Sequence, residues 1–284
     1  MYRIIKNREI AKNVFELVVE NELIASHFKP GQFVVVMPDE TSEKIPLTIY
    51  KTEGSCVSMI YQVVGKTTYD LSKKNDYIFS ILGPLGKPSI ILNMEAKKVL
   101  FVAGGVGIAP VIPQAVELKK RGVICDLIYG MKTIDNCILK DDIDKYFDDV
   151  IIVTEDNTAD HIGLVTDYVD DFCYDFIITI GPVIMMKKVV ELAEELKVPS
   201  IVSMNPIMID GTGMCGACRL FYDGIIHYAC IDGPEFIGAK VDFDPWDFLD
   251  LEKRAKIEDA LPLLTILTLS ATGSEMDNGG VISN

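Results

Sequence analysis

A continuous apolar run that passes directly into a glycine-rich turn constrains the fold of this chain more than any other feature. Lys98-Val-Leu-Phe-Val-Ala103 is apolar at every position after the first, as expected for a strand buried on both faces of a sheet. Gly104-Gly-Val-Gly107 follows it, and residues 111–121 have helical spacing. This order predicts a strand, a tight turn and a helix, which together begin a βαβ unit.

The alternation of strands and helices continues beyond this unit. Residues 123–129, 150–153 and 176–180 have the composition of further strands, and residues 185–197 have that of a helix stopped by Pro199. Such alternation predicts a parallel sheet with helices on its faces. We therefore expect an α/β nucleotide-binding domain over residues 98–200.

The first 97 residues have a different texture. Short runs rich in β-branched and aromatic residues lie at 15–19, 33–37 and 57–61, with Pro30-Gly31 and Glu53-Gly54 as turn signals between them. Closely spaced strands of this kind predict an antiparallel β-barrel over residues 1–97.

Charge and cysteine content exclude several classes of partner. The 284-residue chain has a formal charge of −15, which disfavours nucleic acid and anionic membranes. The longest apolar run, residues 99–113, is too short and too glycine-rich to span a bilayer. Seven cysteines without an N-terminal export signal favour a reducing compartment, so we expect a cytoplasmic protein.

The glycine turn itself suggests a phosphate ligand. Glycines at 104, 105 and 107 would let a ligand approach the backbone closely, and the helix that follows offers free N–H groups to a pyrophosphate. The turn departs from the usual G-x-G-x-x-G pattern. Taken alone, it is also compatible with a simple tight turn.

Three segments of the first 97 residues extend the interpretation. They are Ile45-Pro-Leu-Thr-Ile49, Val64-Gly-Lys-Thr-Thr-Tyr-Asp-Leu71 and Gly83-Pro-Leu-Gly86. Followed by the glycine turn, this series resembles the ferredoxin–NADP reductase superfamily. In that superfamily FAD lies on a six-stranded β-barrel, and a nicotinamide dinucleotide lies on the α/β domain after it.

The resemblance implies two sets of cofactor-binding residues. The flavin set would be Pro46, Leu47 and Thr48 at the ring, with Gly65, Lys66, Thr67 and Thr68 at the phosphates. The NAD(P) set would be Gly104, Gly105, Gly107, Gly181 and Pro182. Relatives often have arginine where Ile45 stands here, so we expect Lys66 to supply the charge. No catalytic side chain is expected, because hydride passes between stacked rings.

The loop Asp210-Gly-Thr-Gly-Met-Cys-Gly-Ala-Cys-Arg219 indicates a metal site. Cys215 and Cys218 are separated by two residues, and Cys230 follows after eleven more. With His227 as the fourth ligand, the spacing suits a zinc knuckle. With Asp210, it reproduces the x4 and x2 spacing of plant-type [2Fe–2S] loops, with aspartate in place of the first cysteine.

Two features favour the cluster over zinc. Glycines at 211, 213 and 216 would let the loop wrap around a cluster and direct N–H groups at its sulfides. A flavin splits a hydride into single electrons, and a one-electron carrier beside it has a use that redox-inactive zinc lacks.

Four segments make the resemblance more specific. Residues 181–186, 205–208, 210–219 and 229–236 are similar to the family of small (alpha) subunits of NADH-dependent reduced ferredoxin:NADP oxidoreductases, also called sulfide dehydrogenase beta subunits. The electron-transfer subunit of dihydroorotate dehydrogenase is a relative, but its first ligand is cysteine. The resemblance implies a metal set of Asp210, Cys215, Cys218 and Cys230, over a cluster lobe of residues 201–243.

Such a subunit would have a partner. The family implies a larger subunit with a second flavin and [4Fe–4S] clusters, and ferredoxin would be reached only through it. Two alternatives remain: an electron-transfer subunit of dihydroorotate dehydrogenase, and a zinc-stabilised nucleotide-binding regulatory module. The sequence leaves NAD and NADP equally open.

Residues 244–284 do not fit this family. Leu267-Thr-Leu-Ser-Ala-Thr-Gly-Ser-Glu275 resembles an internal piece of iron-containing alcohol dehydrogenases, which hold iron through aspartate and several histidines. The chain has no histidine after His227. We therefore expect this tail to make no catalytic contribution.

Overall fold

The structure is a computed structural model that describes residues 1–169 and 174–243. Residues 1–242 form one compact unit. The expectations for the tail 244–284, including its resemblance to alcohol dehydrogenases, lie outside the described residues, and so does Cys173.

The described residues contain sixteen strands and five α-helices. The strands are β1 (Tyr2–Ala11), β2 (Val14–Glu20), β3 (Phe33–Met37), β4 (Ile45–Glu53), β5 (Cys56–Gln62), β6 (Tyr77–Ile78), β7 (Ser80–Leu85), β8 (Lys98–Gly104), β9 (Ile124–Met131), β10 (Asp149–Thr154), β11 (His161–Ile162), β12 (Phe176–Ile180), β13 (Ser200–Ser203), β14 (Arg219–Tyr222), β15 (Ile225–Tyr228) and β16 (Glu235–Ile237). The helices are α1 (Glu22–His27), α2 (Lys66–Ser72), α3 (Ile108–Lys120), α4 (Lys140–Tyr146) and α5 (Val183–Leu196). In the portion described, none of the helices combines the length and apolar character needed to cross a membrane.

The first sheet is antiparallel and has the strand order β6-β1-β2-β5-β4-β3-β7. Its two edge strands, β6 and β7, are separated in the chain by Phe79 alone. The sheet must therefore curl so that its edges come near each other, which confirms the predicted barrel-like domain. The family implies six strands; the seventh is the two-residue β6, which pairs Ile78 with Tyr2 of β1.

Apolar side chains on the concave face of this sheet form its core. Leu17, Val34, Ile49 and Met59 come from four different strands and have no exposed surface. Strand β1 was not predicted from the sequence. It runs along the outer part of the sheet, is only partly buried and carries charged residues such as Lys6, so its pattern lacks a continuous apolar face.

The second sheet has the order β11-β10-β9-β8-β12-β13-β16, and its first six strands are parallel. Strand β8 lies between β9 and β12, so the winding of the chain reverses direction between β8 and β12. In open α/β sheets such a reversal creates a crevice at the carboxyl ends of the strands, where ligands bind. The predicted α/β domain is confirmed.

The cluster lobe contributes the last strand of this sheet. Strand β16 is antiparallel to β13 and pairs Phe236 with Val202. Strand β13 itself, Ser200–Ser203, runs past the predicted division at residue 200. The lobe is thus joined to the nucleotide sheet by backbone hydrogen bonds.

Candidate functional site

The glycine turn lies at the reversal point of the second sheet. Gly104 ends β8, and residues 105–107 form a 3-10 turn that leads into α3. A Cβ atom on Gly107 would stand 2.3 Å from the carbonyl oxygen of Ile180 in β12. Only glycine permits this approach between the start of α3 and the end of β12.

The neighbouring turn completes the crevice. Gly181 comes directly after β12, and a Cβ atom there would stand 3.0 Å from the backbone nitrogen of Gly104. Gly105 has φ of +54° and nothing within 4 Å of where a Cβ would be, so its backbone faces open space. The structure thus brings the predicted NAD(P) set together and leaves room for a ligand beside it.

A cavity of about 700 Å³ occupies this crevice. Gly104, Gly105 and Pro182 of the predicted set line it. Charged residues that sequence reasoning missed also line it, namely Lys12, Lys132, Lys188 and Glu155. The lysines make the cavity suitable for an anionic ligand although the chain as a whole is acidic.

The missed residues differ in how they could have been found. Lys132 and Glu155 come directly after β9 and β10, so inspection of the first residues after each parallel strand would have identified them. Lys12 lies in the turn between β1 and β2 of the other sheet. Its presence in the cavity depends on the packing of the two sheets, which the sequence does not reveal.

The predicted flavin set lies on the first sheet. Pro46 and Thr48 in β4 face Val35 and Phe33 of β3 in register, and Leu47 is buried. Among the residues described, none of the seven predicted flavin residues lines the 700 Å³ cavity. The structure therefore separates the two predicted sets into two locations.

Thr68 stabilises the turn at the N-terminus of α2. Its hydroxyl oxygen accepts hydrogen bonds from the backbone N–H of Val64 and Gly65, at 3.0 and 3.1 Å, and donates to the carbonyl of Gly65 at 3.0 Å. This hydroxyl shapes the turn. Lys66 is exposed beside it, and a Cβ on Gly65 would meet open space, so the turn can accept a phosphate group.

The cysteine loop packs directly on the first sheet. Gly211 has φ of +77°, and a Cβ there would stand 2.7 Å from Cδ1 of Leu85 and 2.8 Å from Cγ2 of Val35. Leu85 and Val35 belong to β7 and β3. Strand β3 is paired with β4, which carries the predicted flavin-ring residues, and β7 is the next strand beyond it. The start of the loop is therefore in contact with this part of the barrel.

Asp210 directs its carboxylate back into the loop. One oxygen accepts the N–H of Thr212 and the other accepts the N–H of Cys215, both at 2.7 Å. These backbone hydrogen bonds, first of all the one from Thr212, hold the pKa of Asp210 below its usual value. An ionised oxygen donor thus stands next to Cys215.

Cys218 and Cys230 form a second pair. Each residue is 2% exposed, and the backbone N–H of Cys230 donates to Sγ of Cys218 at 3.4 Å. Burial, followed by the hydrogen bond to Cys218, raises the pKa of Cys230 to about 12. Because metals bind thiolates, a metal that enters this pair must displace protons.

The four predicted ligands therefore occur as two contacting pairs, Asp210 with Cys215 and Cys218 with Cys230. In the described part of the chain, no three His, Cys, Asp or Glu side chains converge on one point as a single-ion site would require. The donor set, three thiols with one carboxylate and with N–H groups directed at sulfur, has the chemistry of an iron–sulfur site.

His227, the alternative fourth ligand, is engaged elsewhere. Its Nδ1 lies 3.4 Å from a carboxylate oxygen of Asp232, and its ring stands edge-on to Tyr222 with 5.3 Å between centroids. Asp210 is thus the candidate that bonds to the cysteine loop.

Large apolar side chains are exposed around the cysteine loop. They are Ile207, Ile209, Met214 and Ile231, and we call them the loop face; Met214 is 91% exposed. A group of exposed apolar side chains in one region indicates an interaction surface.

Comparison with protein families identifies the C-terminal lobe. Residues 205–242 match the iron–sulfur cluster binding domain of dihydroorotate dehydrogenase B. This match spans all four predicted metal ligands.

Two relatives match most of the chain. A Thermotoga maritima protein, named as a homolog of the electron transfer subunit of dihydroorotate dehydrogenase B (NAD(+)), is 45% identical over 249 residues, which cover 85% of this chain and 87% of that protein. The electron transfer subunit of dihydroorotate dehydrogenase B (NAD(+)) of Clostridium acetobutylicum is 33% identical over 242 residues, 84% of this chain and 95% of that protein.

A solved structure agrees with both. A chain of the NADH-dependent reduced ferredoxin–NADP oxidoreductase, a structure described for flavin-based electron bifurcation, is 39% identical to this chain. The two superpose with a TM-score of 0.80 over 90% of this chain and 95% of that one.

Proposed function

Because the chain belongs to the family of dihydroorotate dehydrogenase B electron-transfer subunits, we propose that it passes electrons between a nicotinamide dinucleotide, FAD and a [2Fe–2S] cluster, and on to a larger subunit. It is an electron-transfer subunit of a flavin and iron–sulfur oxidoreductase of the ferredoxin–NADP reductase type. The cofactors supply the redox chemistry, and the residues of the chain bind and orient them.

The observation that carries this proposal is the packing of the cysteine loop on the barrel. Gly211 is pressed against Val35 and Leu85, and β16 joins the same lobe to the nucleotide sheet. The predicted sites for flavin, dinucleotide and cluster thereby share one compact unit. Because the cysteine loop contacts the barrel, single electrons would have a short path to the cluster from a flavin that has received hydride.

We propose that Asp210 and Cys215 bind one iron and that Cys218 and Cys230 bind the other. A [2Fe–2S] cluster gives each iron two protein ligands, and the contacts pair these four residues in the same way. When bound, the cluster supplies one-electron transfer.

Two cysteine variants of the full-length chain, purified anaerobically, test the function. Cys218→Ser should lose iron and acid-labile sulfide, yet keep FAD and its reduction by NADH, because the barrel and the nucleotide crevice are unchanged. Cys56→Ser, a half-buried cysteine of β5, is the control and should keep all three. Stoichiometric zinc without sulfide in the wild-type protein would refute the proposal and favour the zinc-stabilised module.

We further propose that NADH is preferred over NADPH, and that Glu155 sets this preference. Its side chain lines the cavity directly after β10. A carboxylate beside the adenosine ribose accepts a hydrogen bond from the 2′-hydroxyl of NAD and repels the 2′-phosphate of NADP.

Steady-state kinetics with both nucleotides test Glu155. Glu155→Gln should raise kcat/KM for NADPH relative to NADH by about tenfold or more, since a repelling charge is removed. Asp156→Asn is the neighbouring control, because Asp156 already bonds the hydroxyl of Thr158 at 2.6 Å. An unchanged ratio in Glu155→Gln would assign the preference to another residue.

The larger subunit is proposed to dock on the loop face. Exposed apolar side chains beside a redox loop suit a surface that is covered in the complex. With the complete complex, Met214→Glu should weaken copurification of the partner, whereas Leu23→Glu, on the exposed side of α1, should not. Equal loss in both variants would show a non-specific effect.

We propose that the partner is a ferredoxin-dependent subunit with a second flavin and [4Fe–4S] clusters, rather than a dihydroorotate dehydrogenase. Asp210 in the first ligand position and the likeness to the bifurcating enzyme support this choice. Counting flavin, iron and sulfide in the native complex distinguishes the two partners. The cytoplasmic location stays a prediction from the sequence.

A further inference from the structure

Three regions of the molecule meet at one buried carboxyl group. Glu235 begins β16 in the cluster lobe and is 5% exposed. It contacts Ser89, which lies after the last barrel strand, and Gln114, which lies in the helix after the glycine turn. Ser89 and Gln114 are both fully buried.

The contacts among these three side chains close a ring. Glu235 Oε2 lies 2.6 Å from Ser89 Oγ, Ser89 Oγ lies 3.1 Å from Gln114 Oε1, and Gln114 Nε2 lies 2.7 Å from Glu235 Oε1. The orientation of the Gln114 amide is fixed by its other neighbour. Its Nε2 also donates to the carbonyl of Pro110 at 3.3 Å, where an oxygen would be repelled.

Counting protons around the ring distinguishes two states of Glu235. If the carboxyl is ionised, Ser89 has a single O–H with which to serve two acceptors, Glu235 Oε2 and Gln114 Oε1. One contact then becomes an unpaired approach of two oxygens. If the carboxyl is protonated, its O–H donates to Ser89, Ser89 donates to Gln114, and Gln114 donates back to Glu235.

The surroundings of the carboxyl offer it no positive charge. The groups that face it are the hydroxyl of Ser89, the amide of Gln114 and the backbone N–H of Ile90 at 3.1 Å, while Ser203 pairs with it in strand register. The nearest lysine along these segments, Lys87, is directed to Asp232 at 4.0 Å. Within the described residues, Glu235 takes part in no ion pair.

We propose that Glu235 is held as the neutral carboxylic acid. In this form it is a positioning residue, because it closes a hydrogen-bond ring that joins the cluster lobe to Ser89, just after the barrel, and to helix α3. Cys230 lies five residues before Glu235 in the same segment, and α3 begins at the nucleotide turn. The ring therefore fixes the cluster segment relative to the dinucleotide crevice.

Burial agrees with this assignment. Desolvation, the largest cause, raises the pKa of Glu235 to about 7, against a lowering contribution from its hydrogen bonds. A carboxyl whose pKa is higher in the folded than in the unfolded state takes up a proton on folding. Its contribution to stability is therefore greatest at acid pH and declines as pH rises from about 4.5 to about 7.

Infrared spectroscopy of the wild-type protein tests the protonation state directly. At pH 6 the spectrum should contain a carbonyl band of a protonated carboxyl group in a dry environment. This band should be absent from Glu235→Gln and should disappear as pH is raised past about 7. A spectrum at pH 6 without a band that depends on Glu235 would overturn the proposal.

Thermal unfolding as a function of pH tests the ring. The amide of Glu235→Gln can keep both ring contacts but cannot titrate, and it gives up the bond from Ile90 N–H. The difference in Tm between wild type and Glu235→Gln should therefore favour wild type most at pH 5 and shrink toward pH 8. Ser89→Ala, which removes the hydroxyl between Glu235 and Gln114, should lower Tm at every pH. A difference that does not vary with pH would overturn the proposal.

The positioning role rests on the proposed electron path, whereas the ring does not. In the cofactor-loaded protein, Glu235→Ala should slow cluster reduction by NADH at least tenfold while flavin reduction by NADH stays within about twofold, and Glu235→Gln should restore most of the rate. An unchanged rate in Glu235→Ala would overturn the positioning role. If NADH does not reduce the cluster even in the wild-type protein, the electron path is refuted, and the infrared result on Glu235 is unaffected.

Discussion

The nucleotide turn and the cysteine loop are both glycine-rich, but they are held in opposite ways. The nucleotide turn connects two packed elements, β8 and α3, and its neighbours Ala103 and Ile108 have no exposed surface. From Asp210 to Cys218 the cysteine loop contains no helix or strand in the part of the chain described, and Met214 is almost fully exposed. A site made of backbone groups can be preformed by its core, whereas a site made of side-chain ligands still needs its metal to complete it.

A methyl group added to each region in turn tests this difference, and the larger effect is expected in the nucleotide turn. Gly107→Ala forces a Cβ to within 2.3 Å of the Ile180 carbonyl, and backbone on both sides cannot move without disturbing the sheet. We expect the free energy of unfolding to fall by about 3 kcal/mol. Urea unfolding followed by circular dichroism measures it.

Gly211→Ala is the matched substitution in the cysteine loop. Its added methyl meets the ends of two side chains, Leu85 and Val35, and its φ of +77° is unfavourable for alanine. We expect about 1 kcal/mol of global destabilisation, together with loss of iron and sulfide. A fall as large as that of Gly107→Ala would mean that the loop is as integral to the core as the turn.

The same contrast decides how much could be predicted from the sequence. Strand β8, helix α3 and the spacing of the cysteines are local patterns, and the structure confirms the two elements. Lys12 in the nucleotide cavity and the contact of Ser89 with Glu235, 146 positions apart, depend on how distant segments pack. Strand β16 is three residues long and has no recognisable pattern, yet it joins the lobe to the sheet.

A second pair of variants separates ligand contact from backbone strain. Gly105 and Gly122 have positive φ, +54° and +79°, and open space where a Cβ would be, but only Gly105 lines the cavity. Alanine should cost about 1 kcal/mol at either position. Gly105→Ala should also raise KM for NADH about tenfold or more, because the methyl group displaces the dinucleotide. Equal KM values in the two variants would place the dinucleotide away from this turn.

Two aspartates extend the comparison to side chains. Asp175 accepts the N–H groups of Lys97 and Lys98 at 2.6 and 3.0 Å at the start of the parallel sheet, much as Asp210 accepts two N–H groups in the cysteine loop. Asparagine should lower stability by less than about 1 kcal/mol at each position, since neither carboxylate is deeply buried. Only Asp210→Asn should change the visible and EPR spectra of the reduced cluster. Unchanged spectra would mean that Asp210 is not the fourth ligand.

The smallest predicted effect is the loss, at acid pH, of the stabilisation that ionised Asp175 gives the folded protein. The hydrogen bonds from Lys98 and Lys97 lower the pKa of this carboxyl from its ordinary 3.8. Because the folded state binds the proton less tightly than the unfolded state, the stabilisation is complete above about pH 5 and is lost as pH falls through the lowered pKa. The difference in urea midpoint between wild type and Asp175→Asn should therefore be constant from about pH 5 to 7 and shrink toward pH 3. If the difference persists undiminished at pH 3, the advantage of Asp175 over asparagine does not depend on the charge of the carboxylate.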